Sequence, residues 1–439
     1  MVKQPTSRDV ASTERWYKPF LPIVSLLGGR IFAAGAAFLS NVLVARQLGP
    51  DDYGAFYLLF TVMTLVAGLT GPPLDTVLVR FAAQFSPAEF DRARGYFIAV
   101  FWMKWGMFVL TVTVASLISY VAFVVFDLTV PGLPLHGIQY LLAACTGGAV
   151  LALWGYSQAW FQAQQRFRVY LTFEILAAVL RLLGVVVLLA LGVKHLHLYF
   201  SAYLLPAVMV WLLGWSRLPR ALLGGRLQRA ALVELLHFGK WVLLAAIANT
   251  LVQRVDFLWL SLTSASETML GQYGAALSLV LIGELIVLSN YHVLLPRASQ
   301  AYRSGSLVSF LRQSLRPTAL FALCLALLIP VSPWLRALAF GSEYAGTEYY
   351  FSVLLIGVIA ATLSTPFGVA LYALGVSQTV AVWEFLRLAG TVSALTFCVP
   401  LWGGLGAAIA VSIARLFCSV GISIHAYRTI SRQKASVYP

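Results

Sequence analysis

The sequence predicts an all-α integral membrane protein of twelve transmembrane helices, arranged as two six-helix bundles related by a pseudo-two-fold along the membrane normal. Three observations lead there. Of 439 residues, 60% are hydrophobic and 10% charged, against about 25% charged in an ordinary soluble domain. The apolar residues come in blocks of roughly 20–28, the length that crosses about 30 Å of hydrocarbon at 1.5 Å per residue. Short stretches of the second half also repeat stretches of the first.

The first eighteen residues are polar and of mixed charge. The apolar segment that follows is too long for a signal h-region and lacks a small-residue cleavage site, so it is expected to stay attached as the first span. Spans are read at 20–45, 54–80, 95–126, 138–165, 169–192 and 196–216. The first two are joined by GPDDYG, where Gly-Pro ends a helix and the two acids are hydrated. Pro72–Pro73 is expected to kink the second span just before Asp75. After the basic stretch SRLPRALLGGRLQRAALVE come spans at 236–262, 270–296, 307–331, 346–374, 378–400 and 404–428, with Pro366 expected to bend the tenth. The organisation is thus a tail at 1–19, a six-helix bundle at 20–216, a linker at 217–235, a second bundle at 236–428 and a tail at 429–439.

Orientation follows from Lys and Arg. With both termini cytoplasmic, the cytoplasmic segments hold twenty of these residues and the opposite side three, Arg46, Lys194 and Arg336. The net charge of +14 is therefore mostly topology, and no nucleic-acid partner need be invoked. The longest external loop, about 332–345, is too short for a soluble domain. The expected location is the cytoplasmic (inner) membrane.

Laid side by side, the halves match at four places. GGRIFAAGAAFLSN faces FGKWVLLAAIANT, setting Arg30 opposite Lys240, 210 positions on. DDYGAFYLLF faces GQYGAALSLV, and VRFAAQF faces PRASQAY. FEILAAVLRLLG faces WEFLRLAGTVSA, which aligns Glu174 with Glu384, again 210 apart. Six spans per half is an even number, so both halves enter the membrane from the same side. A substrate site is expected between them.

The stretch LSNVLVARQLGPDDYGAFYLLFTVMTLVAG closely resembles the start of polysaccharide flippases of the multidrug/oligosaccharidyl-lipid/polysaccharide exporter superfamily, whose first span ends in an ARxLGPxxYG-like turn. The resemblance covers the chain in length, span number and duplication, with its sharp motif similarity at 28–81 and a weaker one at 156–181. It implies movement of polyprenyl-diphosphate-linked oligosaccharides from the cytoplasmic to the outer leaflet, for O-antigen, capsule or exopolysaccharide synthesis. Expected partners are that lipid, the surrounding membrane lipids and polysaccharide polymerase machinery, and the chain is expected to act as a monomer.

A charge at the centre of a span costs about 2.5–3.5 kcal/mol on insertion scales and needs a partner, a wet cavity or a function. The spans hold seven cations, Arg30, Lys104, Arg181, Lys240, Arg254, Arg387 and Arg415, against five acids, Asp75, Glu174, Asp256, Glu284 and Glu384. The imbalance suits a cavity that receives a diphosphate, which Arg grips bidentately. Arg254, near mid-span with no acid three or four residues away, is the first candidate, and Arg415 the second. Glu384 and Arg387, three apart, and Glu174 and Arg181, seven apart, each share a helix face and can equally pair with one another. Arg30 and Lys240 lie near the cytoplasmic boundary, where snorkelling to headgroups competes with substrate binding. Lys104, in FWMKWGM, is expected to reach an interface.

Asn249, Gln253 and Asp256 recur at i, i+4, i+7 and place a polar stripe on one face of the seventh span, lining a cavity or bonding helix to helix. Asp75, Asp256 and Glu284 are candidates to carry a coupling proton or sodium ion; no other cofactor is expected. Trp154, Tyr156 and Trp160 can stack on sugars or serve as packing and interface anchors. The four cysteines sit in apolar blocks without metal-ligand spacing, and His195 and His197 are too few for a metal site. No P-loop, HExxH or GxSxG occurs, and no external loop could present a glycosyltransferase's catalytic groups. Two alternatives within the superfamily remain. One is a drug/cation antiporter, whose cavity would be acidic; the other is a lipid II flippase, which usually carries extra spans.

Overall fold

The computed structural model describes residues 21–72, 74–75, 78–79, 90–121, 137–164, 166–223, 229–263 and 266–437. Residues 1–20, 122–136 and part of the expected linker lie outside these. The described residues are helical, without strands. In chain order the helices are α1 (Leu21–Thr70), α2 (Phe90–Tyr120), α3 (Gly137–Ala163), α4 (Phe167–Ala190), α5 (Leu196–Ser216), α6 (Arg229–Val252), α7 (Val255–Leu262), α8 (Glu267–Arg303), α9 (Leu307–Ala339), α10 (Thr347–Ala373) and α11 (Ser377–Val437). Among the described residues, nine helices are long and apolar enough to cross a membrane.

Two of these are far longer than one crossing needs. α1 is 50 residues, about 75 Å at 1.5 Å each, and α11 is 61. Each is divided by a glycine in a conformation no helix contains, Gly49 (φ 76°) and Gly403 (φ 54°). A positive φ is the region open to glycine, and Pro50 then starts the next helix at the position that needs no N–H donor. The GPDDYG turn is thus where the sequence places it.

Other boundaries move. The seventh span is not continuous: α6 ends at Val252 and α7 begins at Val255. α6 also starts at Arg229, inside the expected linker, of which a short 3-10 turn at Arg220–Leu222 is described. α9 runs to Ala339, which shortens the expected external loop to a turn around Ser342–Tyr344. Pro73, half of the expected Pro72–Pro73 kink, lies outside the described residues; a bend occurs at Gly71, directly after the end of α1. α10, by contrast, continues helically through Pro366.

The turns expected on the external side gather at one end of the bundle. Gln47 donates to the Val193 carbonyl (3.3 Å), Thr268 to Asp51 (2.5 Å), Tyr344 to the Ala45 carbonyl (2.7 Å) and Arg46 to the Ala339 carbonyl (2.7 Å). Burial pushes the Tyr344 phenol above the usual range, so this bond keeps its proton. The main hydrophobic core lies towards this end and mixes both halves: Tyr53, Phe56 and Tyr203 pack in one cluster with Phe257, Tyr273, Phe351 and Leu395. Away from it the cores separate. One cluster is built almost wholly from the N-terminal half around Phe97, Tyr156 and Phe173, and two others, around Leu294 and Leu371, belong to the C-terminal half. The halves are joined at the Gly49 end and meet again further along α1, where a Cβ on Gly68 would lie 2.5 Å from the Thr250 side chain of α6.

Glycines make the junction possible. A Cβ on Gly271 of α8 would lie 1.8 Å from the Pro50 carbonyl oxygen, and one on Gly54 would lie 2.9 Å from the Gly271 nitrogen. A Cβ on Gly274 would meet the Tyr57 ring at 2.8 Å. Both Tyr-Gly pairs, 53–54 and 273–274, therefore sit where α1 and α8 cross.

Candidate functional site: two unpaired arginines on an aromatic bridge

Arg254 stands in the gap between α6 and α7, as the residue capping the N-terminus of α7, with a non-helical φ of −133°. Neither Gly nor Pro occurs between Asn249 and Leu262, so the usual breakers do not cause the gap. What holds it is Asp256, buried in the first turn of α7. Its carboxylate accepts the Phe257 N–H (2.8 Å) and the Tyr273 hydroxyl (2.8 Å). An acid there also opposes the positive end of the helix. An acid two residues after an arginine is the only mark of the break that the sequence carries.

The guanidinium of Arg254 is half-buried, with Cζ 5.9 Å from the centre of the Phe60 ring. No carboxylate lies within 4 Å of it among the described residues. Phe60 meets Tyr203 edge-on at 5.8 Å, and Arg181 of α4 lies over the Tyr203 ring, its Cζ 5.2 Å from the ring centre. Arg181 likewise has no carboxylate within 4 Å among the described residues, and its Nε is buried without a hydrogen-bond partner. Tyr203 is fixed by donating to the Asn41 side chain (2.5 Å). The result is a chain from one half to the other: Arg181, Tyr203, Phe60, Arg254. Cation–π contacts contribute about 0.5–2 kcal/mol; they soften the burial of each cation without neutralising it.

Of the other cations read within the spans, Arg415, Arg387, Arg30 and Lys104 are paired. Arg415 makes two hydrogen bonds to Glu284, one of 2.9 Å, an arrangement that spends its planar fork on protein. Arg387 pairs with Glu384 (2.8 Å) and donates to Asn249 (3.0 Å). Arg30 donates to the Tyr170 hydroxyl (2.8 Å), which donates to Glu174 (2.8 Å); its own distance to Glu174 is 3.7 Å. Lys104 is buried against Asp75 (2.8 Å) and the Ala152 carbonyl. It does not reach an interface, because α2 directs it into the N-terminal half beside Gly155, whose missing side chain leaves room for Asp75. Lys240 lies on α6 with its side chain outside the described residues.

The same-helix pairing expected for Glu384 and Arg387 is present, whereas that of Glu174 and Arg181 is absent, since Glu174 turns to Arg30. The polar stripe on the seventh span is split by the break. Asn249 bonds to Arg387, Gln253 is exposed in the turn, and Asp256 is buried on α7. Of the aromatic trio, Tyr156 donates to the Phe97 and Leu222 carbonyls and Trp160 packs in the core. No cluster of metal-ligating side chains occurs among the described residues.

Comparison with known proteins places this arrangement. The model of a family described as polysaccharide biosynthesis protein matches residues 23–302, more than half of the chain. The chain belongs to that family. No curated protein matches it. Among solved structures, the lipid II flippase MurJ in an inward closed conformation is similar with a TM-score of 0.73 at 13% identity, over 95% of this chain and 93% of that one. An inward-facing multidrug resistance MATE transporter of the MOP superfamily has a TM-score of 0.75 at 13% identity, covering 92% and 96%. A MOP superfamily transporter from Pyrococcus furiosus has 0.64 at 14%, covering 94% and 96%. This polysaccharide biosynthesis protein therefore has the fold of these transporters, and family and fold together support a multi-pass membrane flippase or transporter.

Proposed function

We propose that the chain moves polyprenyl-diphosphate-linked oligosaccharide repeat units from the cytoplasmic to the outer leaflet of the cytoplasmic membrane, supplying O-antigen, capsule or exopolysaccharide assembly. The observation that carries this is the Arg254–Phe60–Tyr203–Arg181 chain. It offers two cations with no carboxylate in ion-pair contact, at a helix break beside the junction of the halves. In a site of low dielectric a diphosphate is the partner such cations lack, and discontinuous helices supply transporter substrate sites. A cationic drug would meet repulsion there, which argues against the antiporter alternative. Lipid II shares the diphosphate, and the polysaccharide family match favours the oligosaccharide.

In this reading α1 and α11 each cross twice, at the Gly49 and Gly403 breaks, and α6 with α7 crosses once, giving twelve crossings in two halves of six. The Gly49 end faces outward, and in the transporting state a cavity between the halves opens to the cytoplasm, where the lipid-linked sugar is made. The headgroup enters with its polyprenyl tail left in lipid, the halves rock about the cavity, and the α1–α8 crossing parts to release it. Of the coupling candidates, Asp75 and Glu284 are committed to Lys104 and Arg415. Asp256 has no cation within 4 Å among the described residues and is the candidate retained for a coupling proton or sodium ion.

The test uses purified protein in liposomes carrying a polyprenyl-diphosphate oligosaccharide, with an impermeant reagent reading its arrival in the opposite leaflet. Arg254→Gln is expected to slow movement at least tenfold while its membrane level stays unchanged, for a charge-assisted contact of about 1.5–3 kcal/mol. Wild-type rates in that variant remove Arg254 from the mechanism.

A further inference from the structure

A second set of unsatisfied groups lies apart from the arginines, on the seam between α3 and α5. Gln158 is 8% exposed, yet neither its amide oxygen nor its amide nitrogen has a hydrogen-bond partner. The indole nitrogens of Trp154 and Trp211 are also buried without partners, although both residues are partly exposed. Buried polar groups are nearly always paired, so several orphans on one seam call for an explanation.

Packing brings them together. Trp154 and Gln158 are one turn apart on the same face of α3. That face meets α5: a Cβ on Gly147 would touch Leu204, and one on Gly214 would touch Ser157 and lie 3.8 Å from the Trp154 ring. Pairing 147 with 204 and 157 with 214 sets the two helices parallel at a constant offset, which places Trp211 level with Trp154. The neighbours are satisfied, since Trp215 donates to the Leu153 carbonyl (3.2 Å) and Ser157 to the Trp154 carbonyl (2.8 Å). Trp211 packs edge-on against Trp215 at 5.6 Å, which fixes its ring.

The chemistry narrows the ligand. Two indole N–H groups and one carboxamide provide donors and an acceptor, and none of the three carries a charge. The charges beside this seam, Asp75 and Lys104 at Gly155, neutralise each other and offer no net charge to an ion, while an apolar group would leave every orphan unpaired. Hydroxyl groups donate and accept at once, and indole faces suit the C–H face of a pyranose. We propose that the α3–α5 seam, through Gln158, Trp154 and Trp211, is a subsite for a neutral sugar ring of the cargo, separate from the arginines that take its diphosphate. This rests on the flippase reading and adds residues that distinguish a glycosylated lipid from a bare one.

The experiment compares two lipids in the same liposomes, polyprenyl-diphosphate-N-acetylglucosamine and sugar-free polyprenyl diphosphate. A membrane-impermeant diphosphate-cleaving enzyme reports their movement. Trp211→Phe keeps an aromatic face and deletes the N–H with the pyrrole part of the indole; Gln158→Leu removes the amide. Each is expected to raise the half-saturating amount of the sugar-bearing lipid about fivefold to tenfold, as for one lost hydrogen bond. Movement of the sugar-free lipid stays within twofold of wild type, whereas Arg254→Gln slows both lipids. Equal effects on the two lipids, or none on either, in the well-folded Trp211→Phe protein overturn the subsite and leave the flippase reading standing. If wild-type protein moves neither lipid, the flippase reading fails and the subsite with it.

Discussion

Replacing Gly271 by Ala tests whether the α1–α8 crossing is a seal that must open. The added Cβ would lie 1.8 Å from the Pro50 oxygen and 2.6 Å from its carbonyl carbon. Ordinary contact between non-bonded heavy atoms needs about 3.5 Å, so the two segments must separate by well over 1 Å. Both partners are backbone, and no side chain can rotate out of the way. Overpacking of this kind costs about 1–3 kcal/mol, here confined to the conformation in which the helices touch. In an exposed helical site the same substitution would be favourable by about 0.5–1 kcal/mol, and Gly35, with open space around its Cβ position, provides that control. A penalty of about 1–3 kcal/mol on one of two states shifts their ratio roughly 5- to 150-fold. The assay is disulfide trapping between Asp51→Cys and Thr268→Cys, whose native side chains are hydrogen-bonded across this crossing. Gly271→Ala is expected to lower the trapped fraction at least fivefold relative to Gly35→Ala, with both proteins eluting as folded species. Undiminished trapping in a folded Gly271→Ala protein would refute the reasoning, because the helices would then have absorbed a Cβ that the geometry excludes.

Three further outcomes follow from the charges and rings. Lys104→Met strands Asp75 in the N-terminal half and is expected to destabilise the protein by about 3–5 kcal/mol, seen as a lowered melting temperature; pairing it with Asp75→Leu should restore most of the loss. Arg415→Gln is expected to act in the same way through Glu284, with its rescue by Glu284→Gln read in the same melt, whereas Arg254→Gln leaves the melting temperature unchanged because no ion pair is broken. Tyr203→Phe removes the hydrogen bond to Asn41 at about 1 kcal/mol and retains the face under Arg181. Its transport should match wild type, and Tyr203→Leu, which removes the face, should slow it.

What could be read in advance was whatever depends on local chain chemistry. Helix length and polarity are local properties, so the α5 boundaries at Leu196 and Ser216 agree with those read from the sequence. The division of α1 at Gly49 was legible because Gly-Pro allows few backbone conformations, and the Glu384–Arg387 pair because a spacing of three is a property of any helix. The Tyr-Gly repeat pointed to a relation between the halves, though not to the crossing it forms. Tertiary structure decided the rest. Six cations were open candidates for the anion, and packing between distant segments, as far apart as Glu284 and Arg415, committed two of them, Arg30 and Arg415, to acids. The break at Arg254 depends on Tyr273 reaching Asp256 from another helix, which no local pattern encodes. Composition alone determined that this chain lives in a membrane, because hydrocarbon tolerates so few charges. Which of those charges remain unpaired was decided only by the fold, because a carboxylate neutralises whichever cation the packing brings within a few ångströms.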